Sequence, residues 1–310
     1  MIKSNKKSDL PRGIVSALIT PLKSSQIINE EALHNLIEFQ IRNNISGFFI
    51  LGTYGEGLSI HPIIRKSFAE KVAYYVRSKI PIINNVSATS IDVSIELAKH
   101  SADLGIKHIA LLPPLYYRTG LDELSKVFSI FDKLDLKVIV YNNPSKTAVD
   151  ITPSIFKAIS AHTDNIVGIK DSTASIERIL ELAEELSNEY YIAIASDLVI
   201  LEAFLYNADS HICGICNAVP ELSILLYTNI LKGDIKEALR YKKLIWKLRH
   251  IAKELNVEGL SVIKAMLKIR GLDVGNPLLP NKTLNEKELS MVRDVLISVL
   301  NAVGIELKII

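Results

Sequence analysis

The chain has 310 residues and only two cysteines, Cys213 and Cys216, so no disulfide framework can organise it and a reducing cytoplasm is the expected setting. It also lacks an excess of charge of either sign. Its formal net charge is +2, which gives no reason to expect nucleic acid or an anionic membrane as partner. No apolar run approaches the ~20 residues of a membrane-spanning helix. The stretch Met1 to Arg12 is polar and basic without the apolar core of a signal peptide, and is expected to be a frayed tail. No Walker loop or GxGxxG fingerprint is present, and Gly52-Thr53-Tyr54-Gly55-Glu56-Gly57 matches neither. No Ser-His-Asp arrangement suggests itself. The histidines His61, His100, His108, His162 and His211 are scattered, and no cluster of His, Asp and Glu gathers where a metal could be held, so no metal and no cofactor are expected. The spacing of Cys213 and Cys216 is CxxC, but without a second pair it reads as packing at a strand end.

What is present is a regular alternation. Short β-branched runs recur, each followed by a longer stretch of helical periodicity: Ile14–Leu22, Gly47–Gly52, Ile80–Val86, His108–Leu112, Lys137–Tyr141, Ile166–Lys170, Tyr191–Ala195 and His211–Cys216. Asn29 precedes one such helix as a cap, with Glu30 and Glu31 in its first turn. Near-continuous apolar strands imply burial on both faces, as in a parallel sheet. Eight βα units of roughly 30 residues close as a (β/α)8 barrel. From about Pro220 the strand signal stops and helical periodicity continues. The expected organisation is a tail over 1–12, a barrel over 13–219 and a C-terminal helical extension over 220–310. An open doubly wound sheet is the alternative fold.

In a barrel the chemistry sits at the carboxyl ends of the strands. Those ends carry Thr20 and Pro21, the Gly52–Glu56 loop, Pro113-Pro114-Leu115-Tyr116-Tyr117, Tyr141-Asn142-Asn143-Pro144-Ser145-Lys146-Thr147, Lys170-Asp171-Ser172 and Ile212 to Asn217. The set is rich in Tyr, Thr and Lys and poor in His and paired carboxylates. Lys170 alone reads as a surface lysine at a strand end. Beside hydroxyls on three other strand ends it reads as an amine whose pKa burial lowers, able to form a Schiff base with a ketone. Tyr141, Thr53 and Tyr116 could then relay protons for carbinolamine formation and dehydration.

These motifs resemble, in order from about Gly13 to Asn301, the dihydrodipicolinate synthase and N-acetylneuraminate lyase family. Gly52-Thr53-Tyr54-Gly55-Glu56 is similar to its GTTGE loop, Tyr141 to Thr147 to its YNxPxRT stretch, Gly168 to Ser172 to its lysine strand, and Pro113 to Tyr117 to its PPYY-type turn. The resemblance implies a pyruvate-dependent class I lyase or aldolase, a barrel with a helical C-terminal domain, and a homo-oligomer, dimer or tetramer. It implies that Lys170 forms the Schiff base, that Tyr141 carries the proton, and that Thr53 and Tyr116 complete the relay, Tyr116 from a neighbouring subunit. The amides of Thr53 and Tyr54 and the carbonyl of Ile212 would position pyruvate. Departures fall on the second substrate. Tyr54 replaces a threonine, Lys146 stands where the synthases bind an aldehyde's carboxylate with arginine, and Ala148 and Ala195 stand where glycines are usual. The expected reaction joins pyruvate to aspartate semialdehyde. The alternatives are a 2-keto-3-deoxy sugar-acid aldolase and, more remotely, a catalytically reduced barrel kept for binding or assembly.

Overall fold

A computed structural model describes residues 7, 9–24 and 26–307. Eight parallel strands form the barrel: β1 (Gly13–Ala17), β2 (Gly47–Ile50), β3 (Ile82–Asn85), β4 (His108–Leu111), β5 (Lys137–Asn142), β6 (Ile166–Asp171), β7 (Tyr191–Ala195) and β8 (Ser210–Cys213). Closure is explicit, because β1 pairs with both β2 and β8, Val15 opposing Gly47 on one side and Ile212 on the other. A doubly wound sheet would leave two edges, so that alternative is excluded. The first strand is shorter than its apolar run suggests. Past Ala17 the chain leaves the barrel, and Leu22–Ser24 pairs antiparallel with Ile27–Ile28.

Helices follow the strands as α1 (Glu30–Arg42), α2 (Pro62–Val76), α3 (Ile91–Asp103), α4 (Leu121–Ser129), α5 (Pro153–Ser160), α6 (Ile176–Leu186), α7 (Ile200–Leu205) and α8 (Pro220–Leu231). Asn29 caps α1 through the Ala32 amide, as its position implies. The helix α8 lies within the segment read as extension. It follows β8 and packs on the barrel, with the Tyr227 ring so close over Gly13 that a Cβ there would sit 2.8 Å from it. Thus α8 completes the eighth unit, and the helices beyond it are α9 (Ile235–Glu254), α10 (Gly259–Ile269) and α11 (Glu286–Asn301). Arg270, at the end of α10, ties them down: its guanidinium donates to the Ala218 carbonyl at 2.7 Å and pairs with Glu221 at 2.9 Å.

The barrel interior is filled by Val15, Ala17, Phe49, Ile83, Ile139, Tyr141, Val167, Tyr191 and Ile212, with Leu10 joining them. The end of the segment expected to fray is therefore packed. Leu10 and Pro11 are buried and the Tyr191 hydroxyl donates to the Pro11 carbonyl at 2.9 Å, while residues 1–6 and 8 lie outside the described residues. Among the described residues no helix is long and apolar enough to cross a membrane.

Candidate active site

Strict alternation along β6 would turn Lys170 away from the interior, since Val167 already faces it. One extra residue intervenes. Val138 pairs with Ile166 but the next residue, Ile139, pairs with Gly168, so β6 bulges between them and Tyr141 opposes Lys170. The bulge needs glycine at 168, where a Cβ would lie 2.3 Å from the Tyr191 carbonyl oxygen. The slip sends Lys170 inward. Its side chain is buried at 4% exposure, with Nζ 3.8 Å from the Phe49 ring centroid and 3.6 Å from that of Tyr141. Burial is the largest influence and lowers the Lys170 pKa; the neighbouring Tyr141 pulls the other way and does not cancel it.

The Tyr141 hydroxyl lies 3.0 Å from Thr53 Oγ1 and accepts from Asn143 Nδ2 at 3.3 Å. Burial acts to raise its pKa, but the Lys170 charge and the bonds with Thr53, Lys170 and Asn143 outweigh burial and bring it below the ordinary tyrosine value. Thr53 is exposed, so the two hydroxyls connect the buried amine to solvent. The loop that carries Thr53 is tightly wound. Leu51 and Glu56 hold φ of 57° and 55°, and a Cβ on Gly57 would lie 1.9 Å from the Leu51 carbonyl oxygen. Thr20 holds this loop from the end of β1 by donating to the Gly55 carbonyl at 2.7 Å. A buried amine, a phenol of lowered pKa and a hydroxyl leading outward suffice chemically for imine formation with a ketone.

A cavity of about 330 Å³ opens above Tyr141 and Thr53. Asn143, Lys146, Leu115 and Ser59 line it from the barrel, and Pro280 and Asn281 from the segment between α10 and α11. Lys146 sits at its rim, half-exposed and paired with Glu258 at 2.8 Å. Of the predicted site residues, Thr53, Tyr141 and Lys146 line this cavity, and Lys170, Tyr54, Tyr116 and Ile212 are not among its lining. Tyr116, with φ of 75°, is 90% exposed and stacks edge-on against Tyr117, so within one chain it does not reach Tyr141. Within a single chain the hydroxyls in hydrogen-bond contact are those of Tyr141 and Thr53. The Tyr54 ring lies over Gly214, and its hydroxyl is engaged by Arg249 of α9, with burial raising its pKa. That side chain is a strut between loop and extension, and only its backbone remains available to a ligand. Ile212 is buried in the interior midway along β8.

The Dihydrodipicolinate synthetase family matches residues 10–298, nearly the whole chain. The chain belongs to this family. It is 28% identical over 278 residues to the 4-hydroxy-tetrahydrodipicolinate synthase of Bartonella henselae, covering 89% of this chain and 95% of that one. It is 26% identical over 290 residues to the synthase of a Thermotoga species, covering 92% and 97%. Among solved structures, the 4-hydroxy-tetrahydrodipicolinate synthase of Methylacidiphilum fumariolicum superposes with a TM-score of 0.86 at 26% identity, covering 94% and 98%. The Ruminococcus gnavus sialic acid aldolase superposes with a TM-score of 0.88 at 23% identity, covering 94% and 97%, which is a likeness of fold. The chain is thus an enzyme of a lyase family.

Against that family membership, the residues the sequence reading missed are those that tie the Thr53 loop to the extension. Glu56 is buried and accepts from the Leu278 amide at 2.6 Å, while its other oxygen pairs with Lys264 Nζ at 2.6 Å. Lys264 in turn donates to the Asn276 carbonyl at 3.0 Å. Both side chains are at most 2% exposed. Burial lowers the Lys264 pKa and Glu56 opposes it. Glu56 stood in the quoted loop motif, but no local pattern points from it to a lysine on a helix two hundred residues on. Asn143 was likewise in a quoted motif and was not assigned.

Proposed function

We propose that this enzyme captures pyruvate as a Schiff base on Lys170 and that the derived enamine makes or breaks a C–C bond with an aldehyde. The observation that carries this reading is the buried Lys170 amine against the Phe49 and Tyr141 rings, with no carboxylate paired to it among the described residues. The neutral amine attacks the ketone; Tyr141 delivers a proton to the carbinolamine oxygen, water leaves, and Thr53 returns the proton from solvent. Tyr141 then takes a proton from the methyl carbon to give the enamine. The amides of Thr53 and Tyr54 and the Ile212 carbonyl orient the pyruvate carboxylate and ketone. An assembly in which Tyr116 enters a neighbouring subunit's site is supported by its exposure.

The preferred aldehyde is aspartate semialdehyde, in keeping with the relatives named as 4-hydroxy-tetrahydrodipicolinate synthases and with a cation, Lys146, at the rim. A second reading, a 2-keto-3-deoxy sugar-acid aldolase, is favoured by one observation: Glu258 already balances the Lys146 charge, and Asn143, Asn281 and Ser59 offer neutral polar groups suited to hydroxyls. Incubation with pyruvate and borohydride tests the first step, with a mass increase on Lys170 as the expected result and an unmodified lysine as the result that overturns it. Assays with aspartate semialdehyde and with glyceraldehyde separate the two readings. Turnover of glyceraldehyde alone eliminates the synthase.

A further inference from the structure

Strands β7 and β8 end side by side, and three side chains that the Schiff-base chemistry does not use converge beside them. Asp197, His211 and Cys213 are all buried, and each offers one ligating atom within 4.8 Å of the others. His211 Nε2 lies 3.0 Å from the Ser196 carbonyl oxygen. A carbonyl can only accept, so Nε2 carries the hydrogen and the Nδ1 lone pair is bare. That Nδ1 is fully buried and faces no polar donor other than the Cys213 thiol. Cys213 Sγ accepts from the Cys216 amide at 3.3 Å and lies 3.3 Å from Ser223 Oγ, while burial pushes the pKa of the free thiol up. Asp197 Oδ1 accepts from the Gly214 amide at 3.1 Å, and Oδ2 from the Ile215 amide at 3.1 Å, with Arg249 Nε 3.4 Å from Oδ2. Each donor is therefore oriented from outside, as the outer partners of metal ligands orient them. The Cys216 thiol is engaged elsewhere, donating to the Cys213 carbonyl at 3.2 Å.

We propose that His211 Nδ1, Cys213 Sγ and Asp197 Oδ1 bind one divalent cation of the zinc class. A sulfur, an imidazole and a carboxylate select a borderline-soft metal over magnesium or calcium. Bonds of about 2.0–2.3 Å place tetrahedral ligands roughly 3.3–3.8 Å apart, so the donors close in by about an ångström. The Cys213 thiol releases its proton to solvent on binding. The Cys213 thiolate and the Asp197 carboxylate then offset the two charges of the cation. Buried charge is tolerated on those terms. The ligands flank Ile212 and the Gly214 turn that carries the Tyr54 ring, so the cation holds the end of β8 in place beside the pocket.

The test uses the full chain produced in zinc-supplemented medium, because a buried site loads as the chain folds. Elemental analysis after dialysis should find about one zinc per chain. Protein produced with cobalt in place of zinc should show a thiolate-to-cobalt charge-transfer band, and Cys213→Ser and His211→Gln should each lose both signals. Circular dichroism reports whether the variants fold; if they do not, the unmodified chain alone still decides through its metal content and cobalt spectrum. Substoichiometric metal, or cobalt without the charge-transfer band, overturns the proposal and leaves a neutral Cys213 thiol resting on the His211 ring. Pyruvate trapping on Lys170 is scored separately, so failure of the metal site is distinguishable from failure of the Schiff-base reading.

Discussion

Lys170 and Lys264 are both buried lysines, and in both burial pushes the pKa down. They differ in what faces the amine. Lys264 meets the Glu56 carboxylate at 2.6 Å and a backbone carbonyl, which keep it charged and fix the loop to the extension. Lys170 meets two aromatic rings and a phenol. Ring faces attract an ammonium, but only by about 0.5–2 kcal/mol, less than a carboxylate at contact. Burial thus suits one lysine to be a strut and the other to the nucleophilic role proposed for it, and the partner decides which. The same burial would make an unpaired Lys264 a liability, because an ammonium taken from water without compensation is costly.

The comparison is broken most sharply at Lys170 itself. Lys170→Ala should abolish borohydride trapping of pyruvate, whereas Lys264→Ala should leave a trappable amine in whatever fraction folds; mass spectrometry of the labelled peptide reads both. Tyr141→Phe should still capture pyruvate but lower kcat by about 10²–10⁴-fold, the range of a lost general acid–base. Full retention of kcat would remove Tyr141 from proton transfer. On the strut side, Glu56→Gln leaves Lys264 buried and unpaired and should cost about 3–5 kcal/mol in denaturant unfolding. The joint change Glu56→Leu with Lys264→Met removes both charges and should recover most of that loss, which separates the pair's geometry from its charge.

A finer distinction comes from pH. Because the folded pKa of Lys170 is depressed, folding favours release of its proton, and this burial opposes stability at every pH below the ordinary lysine value. Lys170→Met should therefore raise Tm at neutral pH, with the gain shrinking as pH rises through the depressed pKa and gone at the ordinary lysine value. The rate of pyruvate trapping by the unaltered chain should climb with pH through a midpoint below that of an exposed lysine. A midpoint at the ordinary value would contradict the buried amine. The smallest effect belongs to the rim pair. Glu258→Gln should change stability by less than about 1 kcal/mol, since the pair is solvent-exposed, but should lower KM for an anionic aldehyde by freeing Lys146. An unchanged KM for the anionic aldehyde would favour a neutral, polyhydroxylated partner.

How much of this was legible beforehand differs from residue to residue. The eight strands, the positions of α9, α10 and α11 and the Asn29 cap follow local periodicity and capping chemistry, which act over a few residues. A barrel helix and an extension helix carry the same periodicity, so the sequence does not show that α8 packs against Gly13. Tyr116, expected to serve a neighbouring subunit's site, is exposed in the single chain. Tyr54, expected to offer its backbone amide, turns its side chain to Arg249, a partner with no sequence signal linking the two.

By itself the sequence determined the barrel and the family, because alternating apolar runs and strand-end motifs are local and periodic. The tertiary structure alone decided that Lys170 faces inward, through a single extra residue in β6 opposite Ile139. It alone decided that Glu56 neutralises Lys264 while Lys170 goes without a carboxylate, and that Asp197, His211 and Cys213 meet. Those outcomes depend on distances between residues far apart in the chain, and electrostatics and desolvation respond to distance in space, not to separation in sequence.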